Sequence, residues 1–344
     1  KDELNLIVDL LDEGDSIPGE VYKGHIQTSL KNCFHIIGRK HFNNLNKTTP
    51  DLIQFKNGVW DKNNNILHPD NPAYFSVNTI PWNLGDSEET PAIDKLFTEW
   101  VGEEWKATLY ELLAYSLYRK NQIHLIAFLM GPGRNGKTSY LNLLRTFVGP
   151  HNTAVVNFED LCNNRFGTAK IYKKLGALIY ETNFNVLKHT DKLKSLSGGD
   201  PIEYEFKNKN SFTEDNYTKL FISTNTLPAT TDKTEAFYRR CLVIDFPNKF
   251  PEGKDIIEKI PLIEFENLAR KCMNILPIIL ERGTITNQGT IEERTQRFED
   301  RSNTLAKFLK EQVEFSSEGH IFVYEFYERF LAYCKTNGYR TRSK

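Results

Sequence analysis

The chain has 344 residues, 39% hydrophobic and 26% charged, with a formal net charge of −1. This is the composition of a folded globular protein of two or three domains, and it excludes binding to nucleic acid through overall basicity, so any such surface must be local. No apolar run approaches the ~20 residues that span a bilayer.

The five cysteines (Cys33, Cys162, Cys241, Cys272, Cys334) are widely spaced and include no C-x-x-C, which fits a reducing cytoplasm better than a disulfide framework or a zinc site. The opening KDEL is an address only at a C-terminus. With no initiator Met and no signal peptide, the chain is expected to be a piece of a longer protein.

In chain order, residues 1–45 lean helical. Residues 51–84 read as short strands and turns, with Asn57-Gly58 and an Asn-rich turn giving a hairpin signature. Residues 91–119 read as a helix with Pro91 near its start and Ile93, Leu96, Phe97, Trp100 and Val101 on one face. QIHLIAFLM (122–130) is an apolar run suited to a strand buried on both faces. KTSYLNLLRTFVG then has helical spacing and stops at Gly149-Pro150. GALIYE (176–181), KLFIST (219–224) and CLVIDF (241–246) are three more buried-strand candidates, so an α/β fold with a parallel sheet is expected. Residues 255–282 read as a helix that Pro277 could kink. The tail reads as a helix (303–313), a short strand and a second helix (within 318–338, stopped by Gly338), then a basic end. That pattern fits either a winged-helix-like module or a plain helical lid.

Between the first apolar strand and its helix lies GPGRNGKTS. Gly131, Gly136, Lys137 and Thr138 satisfy G-x-x-x-x-G-K-[ST]. Phosphate oxygens need several converging N–H donors, and Gly131, Gly133 and Gly136 permit the turns that supply them. The helix N-terminus adds positive potential. Lys137 then reaches the β- and γ-phosphates of ATP, and the Thr138 hydroxyl ligates Mg²⁺. Pro132, Arg134, Asn135 and Ser139 complete the nucleotide-binding stretch.

Three further features accompany the loop. Glu181 ends a strand where an acid belongs beside Mg²⁺ and the attacking water. Asn225 ends another and could orient that water. Arg239-Arg240 precede a third; in a ring ATPase such an arginine completes the neighbour's site. IEYEF alternates like a strand, and Lys207-Asn208-Lys209-Asn210 looks like a hairpin tip able to track a phosphate backbone.

The ordered string GPGRNGKT, LIYE, LKSLSGGDPIE, KLFISTNTLP and AFYRRCLVIDFP resembles the superfamily 3 helicases of viruses and plasmids, above all the poxvirus and phage primase-helicase branch. The match is close over residues 122–250, and DLIQFKNGVWD extends it to about residue 50. The resemblance implies a P-loop AAA+ ATPase core (116–285). A small, mostly helical helicase-associated domain (1–115) would precede it and a small winged-helix-like C-terminal module (286–344) would follow. It implies a hexameric ring that hydrolyses ATP with Mg²⁺ and moves 3′ to 5′ along single-stranded DNA, often fused to a primase or polymerase. Glu181 matches the acidic Walker B position, Asn225 the sensor Asn, one of Arg239 and Arg240 the arginine finger (spacing to Phe246 favours Arg240), and Lys207 and Lys209 the DNA-binding hairpin. Thr182 stands where many ring ATPases carry a second acid, so whether Glu181 serves the metal, the water or both stays open. The alternatives are a P-loop ATPase acting on protein or packaging a genome, and a nucleotide-locked scaffold without hydrolysis.

Overall fold

A computed structural model describes residues 49–70, 76–180, 186–187, 190–251 and 256–336. The helical reading of residues 1–45, the stop at Gly338 and the basic end lie outside the described residues. The turn signals around Asn57-Gly58 produce an antiparallel meander of β1 (Leu52–Phe55), β2 (Gly58–Asp61) and β3 (Ile66–His68). Helix α1 (Pro91–Ser116) follows, burying Ile93, Phe97, Trp100 and Val101 as its spacing predicts. It is broken at Gly102, which sits at φ 78°.

The alternating part begins with β4 (Ile126–Met130), α2 (Lys137–Val148), β5 (Thr153–Val155), α3 (Phe158–Asn163) and β6 (Gly176–Ile179). Next come β7 (Val186–Leu187), α4 (Thr190–Gly198) and the hairpin strands β8 (Pro201–Tyr204) and β9 (Phe212–Asp215). Then follow β10 (Lys219–Thr224), β11 (Ala229–Thr230), α5 (Glu235–Tyr238) and β12 (Cys241–Asp245). The chain closes with α6 (Leu262–Arg282), α7 (Ile291–Ser302), α8 (Thr304–Gln312) and α9 (Val323–Thr336). The result is a mixed α/β protein. Its five-stranded sheet has the order β12-β4-β10-β6-β5, and every neighbouring pair is parallel.

Successive strand residues face opposite sides, so each apolar run feeds two cores. Ala127, Leu129, Phe221, Leu178, Leu242 and Ile244 face one core, shared with α1, α2 and α6. Ile126, Phe128, Ile179, Leu220, Ile222 and Val243 face the other, shared with α3, α4, α5 and Phe298 of α7. The first core also takes in Ile53, Phe55 and Trp60 of the meander. Apolar packing is therefore continuous across residues 115–116, and the described part before that point is three strands and one long helix.

Two sequence expectations are corrected. Helix α6 begins at Leu262, after Pro261, and runs through Pro277 to Arg282. The short strand expected after residue 318 does not form among the described residues: Ile321 and Phe322 are irregular and exposed, and Val323 already begins α9. Strand-like composition does not make a strand without a partner edge to pair with. Instead α8 and α9 pack as a helical hairpin, with Phe308 against Phe326, Phe330 and Tyr333 at centroid distances of 5.2–5.4 Å. Among the described residues no helix is long and apolar enough to cross a membrane.

Helix α1 has no side-chain cap of its own. The buried Glu264 of α6 replaces it, accepting from Ala92 N at 3.0 Å and Ile93 N at 3.1 Å. Glu264→Ala leaves those donors unpaired in the core. It is expected to lower stability by about 1–3 kcal/mol, read as a fall in the urea midpoint at constant m-value; an unchanged midpoint would contradict the cap.

Candidate functional site

Parallel pairing of β4 and β10 sets Thr224 opposite Met130. The next residues, Asn225 and Gly131, therefore leave the same sheet edge side by side. Gly131 N donates to Thr224 O at 3.3 Å, and on the other flank Phe246 N donates to Met130 O at 2.7 Å. Between these anchors the 131–136 loop turns back on itself, with Gly133 N donating to Gly131 O at 3.0 Å. Arg134 lies at φ 51°, and Gly133 and Gly136 at φ 94°.

The loop closes around one side chain. Lys137 is 5% exposed, and its Nζ donates to Gly131 O at 2.6 Å and Asn135 Oδ1 at 2.9 Å and reaches Asn225 Oδ1 at 3.4 Å. Asn135 is buried and donates to Phe246 O at 2.9 Å, tying the loop to β12. Pro132, Arg134 and Thr138 are exposed and Ser139 is half-buried. Helix α2 starts at Lys137 behind Gly136, which has no side chain to cap it, and among the described residues no side-chain cap is present. Its leading N–H groups and the positive end of its dipole thus face the loop mouth, an arrangement that favours an anion.

Two glycines are required by their surroundings. A Cβ on Gly131 would fall 1.8 Å from Asn135 Nδ2, and one on Gly136 would fall 2.4 Å from Trp100 Cδ1. Trp100 belongs to an aromatic cluster with Phe97 and Tyr140, and Tyr140 in turn neighbours Phe246. Helix α1 thereby buttresses the loop from below.

Glu181 and Thr182 lie outside the described residues. The preceding β6 pairs with the other side of β10, so Tyr180 leaves at the loop edge, where its hydroxyl donates to Asn142 Oδ1 at 2.9 Å.

The arginine pair sits at the opposite edge. Arg240 O accepts from Ile126 N at 2.7 Å, at the entrance to β4. At ~3.3 Å per residue, the length of β4 separates this edge from the loop by roughly 16 Å. Arg239 is exposed, and its side chain has no hydrogen bond or ion pair among the described residues. Arg240 is 6% exposed, donates through Nη1 to Ala236 O, and its buried Nε has no partner among the described residues. Burial, then the charge of Arg239, pushes the Arg240 pKa down. The spacing to Phe246 favours Arg240 as the match to the finger; in the structure Arg239, the C-cap of α5, is the exposed member of the pair and Arg240 the buried one.

His124 was not legible as part of this edge. It lies two residues ahead of Ile126, whose partner Cys241 follows the arginine pair. Its pKa is lowered by burial and then by the charges of Arg240 and Arg239, against Asp200. Only the strand register brings these groups together.

The same edge carries the β8–β9 hairpin, paired from Pro201↔Asp215 to Tyr204↔Phe212. Lys207 and Lys209 are exposed at its tip, with Asn208 at φ 63°. Phe206 and Phe212 stack at 6.1 Å and Tyr172 meets Tyr204 at 4.9 Å, which stiffens the hairpin below the lysines.

The fold and site thus define a mixed α/β protein whose parallel sheet carries a glycine-rich, lysine-closed loop at one edge and an arginine pair with a lysine-tipped hairpin at the other. A family of unknown function, DUF5906, matches residues 129–240, from the end of β4 to Arg240. Among solved structures, the apo C-terminal region of NrS-1 (305–718) is similar at 16% identity and a TM-score of 0.53, over 84% of this chain and 70% of that one. An A-form apo structure of that region aligns at 14% identity with a TM-score of 0.46, over 86% of this chain and 71% of that one. The likeness is one of fold.

Gly136→Ala sets a Cβ against Trp100 in a left-handed conformation that alone costs roughly 1–2 kcal/mol. Urea denaturation is expected to show a loss of at least that size, whereas Thr138→Ala, at an exposed position, stays within about 0.5 kcal/mol. Equal stability of Gly136→Ala and wild type would contradict the packing of Trp100 on the loop.

Proposed function

We propose that this chain is the ATP-driven motor of a replicative DNA helicase. In this reading it works as a hexameric ring moving 3′ to 5′ on single-stranded DNA, fused to or partnered with a primase or polymerase. The observation that carries the reading is the convergence of Lys137 and Asn225. Two neighbouring parallel strands deliver an ammonium and a carboxamide to one glycine-rich loop that ends in an uncapped helix.

In the proposed cycle the triphosphate lies on the 131–136 loop, and its oxygens replace the loop oxygens that now surround Lys137 Nζ. Lys137 holds the β- and γ-phosphates, and Asn225 orients the attacking water. Thr138, exposed on the first turn of α2, would hold Mg²⁺ together with Glu181. When bound, that ion neutralises charge developing on the β- and γ-oxygens. Arg239 cannot serve its own loop from the opposite edge, but in a head-to-tail contact it faces the loop of the next copy. Such heterologous contacts close into a ring when the rotation between copies divides a full turn. Arg239 is therefore the preferred finger, with Arg240 buried behind it. Exposed lysines over an aromatic-stiffened hairpin suit a single-stranded phosphate backbone better than a protein substrate, which favours the helicase reading over protein remodelling.

Two variants test this. Lys137→Ala should fold and lose hydrolysis, because the γ-phosphate loses its counter-charge. Lys207→Ala with Lys209→Ala should keep basal hydrolysis but weaken single-stranded DNA binding and flatten its log–log salt dependence by about 1.4 units, at ~0.7 per lost phosphate contact. Wild-type turnover in the first would remove the phosphate-loop assignment. An unchanged salt slope in the second would move the DNA surface off the hairpin.

A further inference from the structure

We infer that Lys194, Asp232 and Asp200 are positioning residues that join the Arg239 segment to the root of the β8–β9 hairpin, so that what Arg239 meets in a neighbouring copy is transmitted to the hairpin tip. The inference rests on the motor reading above and adds a route from its hydrolytic site to its DNA contact.

Two chain segments meet at this edge. Helix α4 leads through the Gly198–Asp200 turn into β8, and the 231–234 turn leads through the short α5 into Arg239. They are tied at two points. At the first, Lys194 Nζ donates to Asp232 Oδ2 at 2.9 Å, with the Asp232 side chain 11% exposed. The same carboxylate accepts from Thr234 N at 2.9 Å and Thr234 Oγ1 at 2.6 Å, and Thr234 is the N-cap of α5. A residue of the hairpin arm thus fixes the start of the arginine arm. Lys194 also pairs with Asp191 at 2.8 Å, but that carboxylate is 95% exposed and belongs to α4 itself.

At the second point, the Arg240 guanidinium lies against Gly198. A Cβ there would be 3.5 Å from Arg240 Nη2 and 2.9 Å from Asp200 Oδ2. A buried guanidinium with one N–H unpaired is costly. Its energy therefore depends on where the Gly198–Asp200 turn places its carboxylate, and a shift of Arg239 and Arg240 biases that turn. On its other side the 231–234 turn is tied to α7 rather than to the hairpin, through Lys233 Nζ to Glu299 Oε1 at 2.7 Å, which supplies a control.

The test uses the full chain, ATP and a single-stranded oligothymidine. Lys194→Met and the exposed Asp200→Asn should keep basal hydrolysis, the KM for ATP and oligonucleotide affinity. The rise in kcat on adding DNA should fall at least about fivefold, the lower end of ordinary site-to-site coupling. Lys194→Arg should restore it, and Lys233→Ala, which removes the ion pair to Glu299 of α7 and leaves the Asp232 and Gly198 contacts in place, should retain it. Full DNA stimulation in both Lys194→Met and Asp200→Asn overturns the link, as does an equal loss in Lys233→Ala. A wild-type chain whose hydrolysis ignores DNA fails one step earlier, removing the motor reading and the link with it.

Discussion

The structure turns on a buried ammonium. Lys137 is sunk in the loop it belongs to, contacting Gly131 O, Asn135 and Asn225. A buried cation must be paired or well solvated by dipoles, and here the dipoles come from two stretches of chain, the loop itself and Asn225 after β10, with three other elements holding them in place. The register of β4 against β10 fixes Asn225, β12 anchors Asn135 through Phe246, and Trp100 of α1 excludes any side chain at Gly136. The loop is therefore a product of the tertiary fold.

A parallel sheet has two chemically distinct ends, and this protein carries charged side chains at both. The carboxyl ends of β4 and β10 carry the lysine-closed loop and Asn225. The amino ends of β4, β10 and β12 carry His124, the hairpin root and the arginine pair. About five residues of strand separate the ends, too far for one copy to bring its own arginine to its own loop. A chemistry requiring both must be shared between copies, so the proposal of a ring follows from the direction of the strands as much as from any resemblance.

Much of this was legible in the sequence. Each of the four apolar runs holds a strand, at Ile126–Met130, Gly176–Ile179, Lys219–Thr224 and Cys241–Asp245, because burial on both faces leaves an unbroken apolar pattern. The glycine-rich loop and the lysine-bearing hairpin announced themselves through turn residues. Other features were invisible, because they depend on register and rotamer. Nothing local distinguishes Arg239 from Arg240, yet one is exposed and the other buried. His124 reads as a stray polar residue until β4 lies beside β12. Lys194 and Asp232 are ordinary surface residues by composition and meet only when α4 packs beside the turn into α5. The strand expected near Ile321 failed for the converse reason, since local preference was present and a pairing edge was not.

The central claim, a loop completed by the next copy's arginine, is tested most directly by mixing two inactive subunits. Arg239→Ala subunits keep the loop and lose the arginine; Lys137→Ala subunits do the reverse. A finger supplied in trans contributes roughly 10³–10⁵ in rate, so each variant alone should be nearly silent. After subunit exchange, verified with a labelled copy, ATP hydrolysis should return in the mixture at concentrations that support assembly, because some interfaces then pair an intact loop with an intact arginine. Verified exchange without recovery would contradict a shared site, as would full-rate hydrolysis by an isolated monomer.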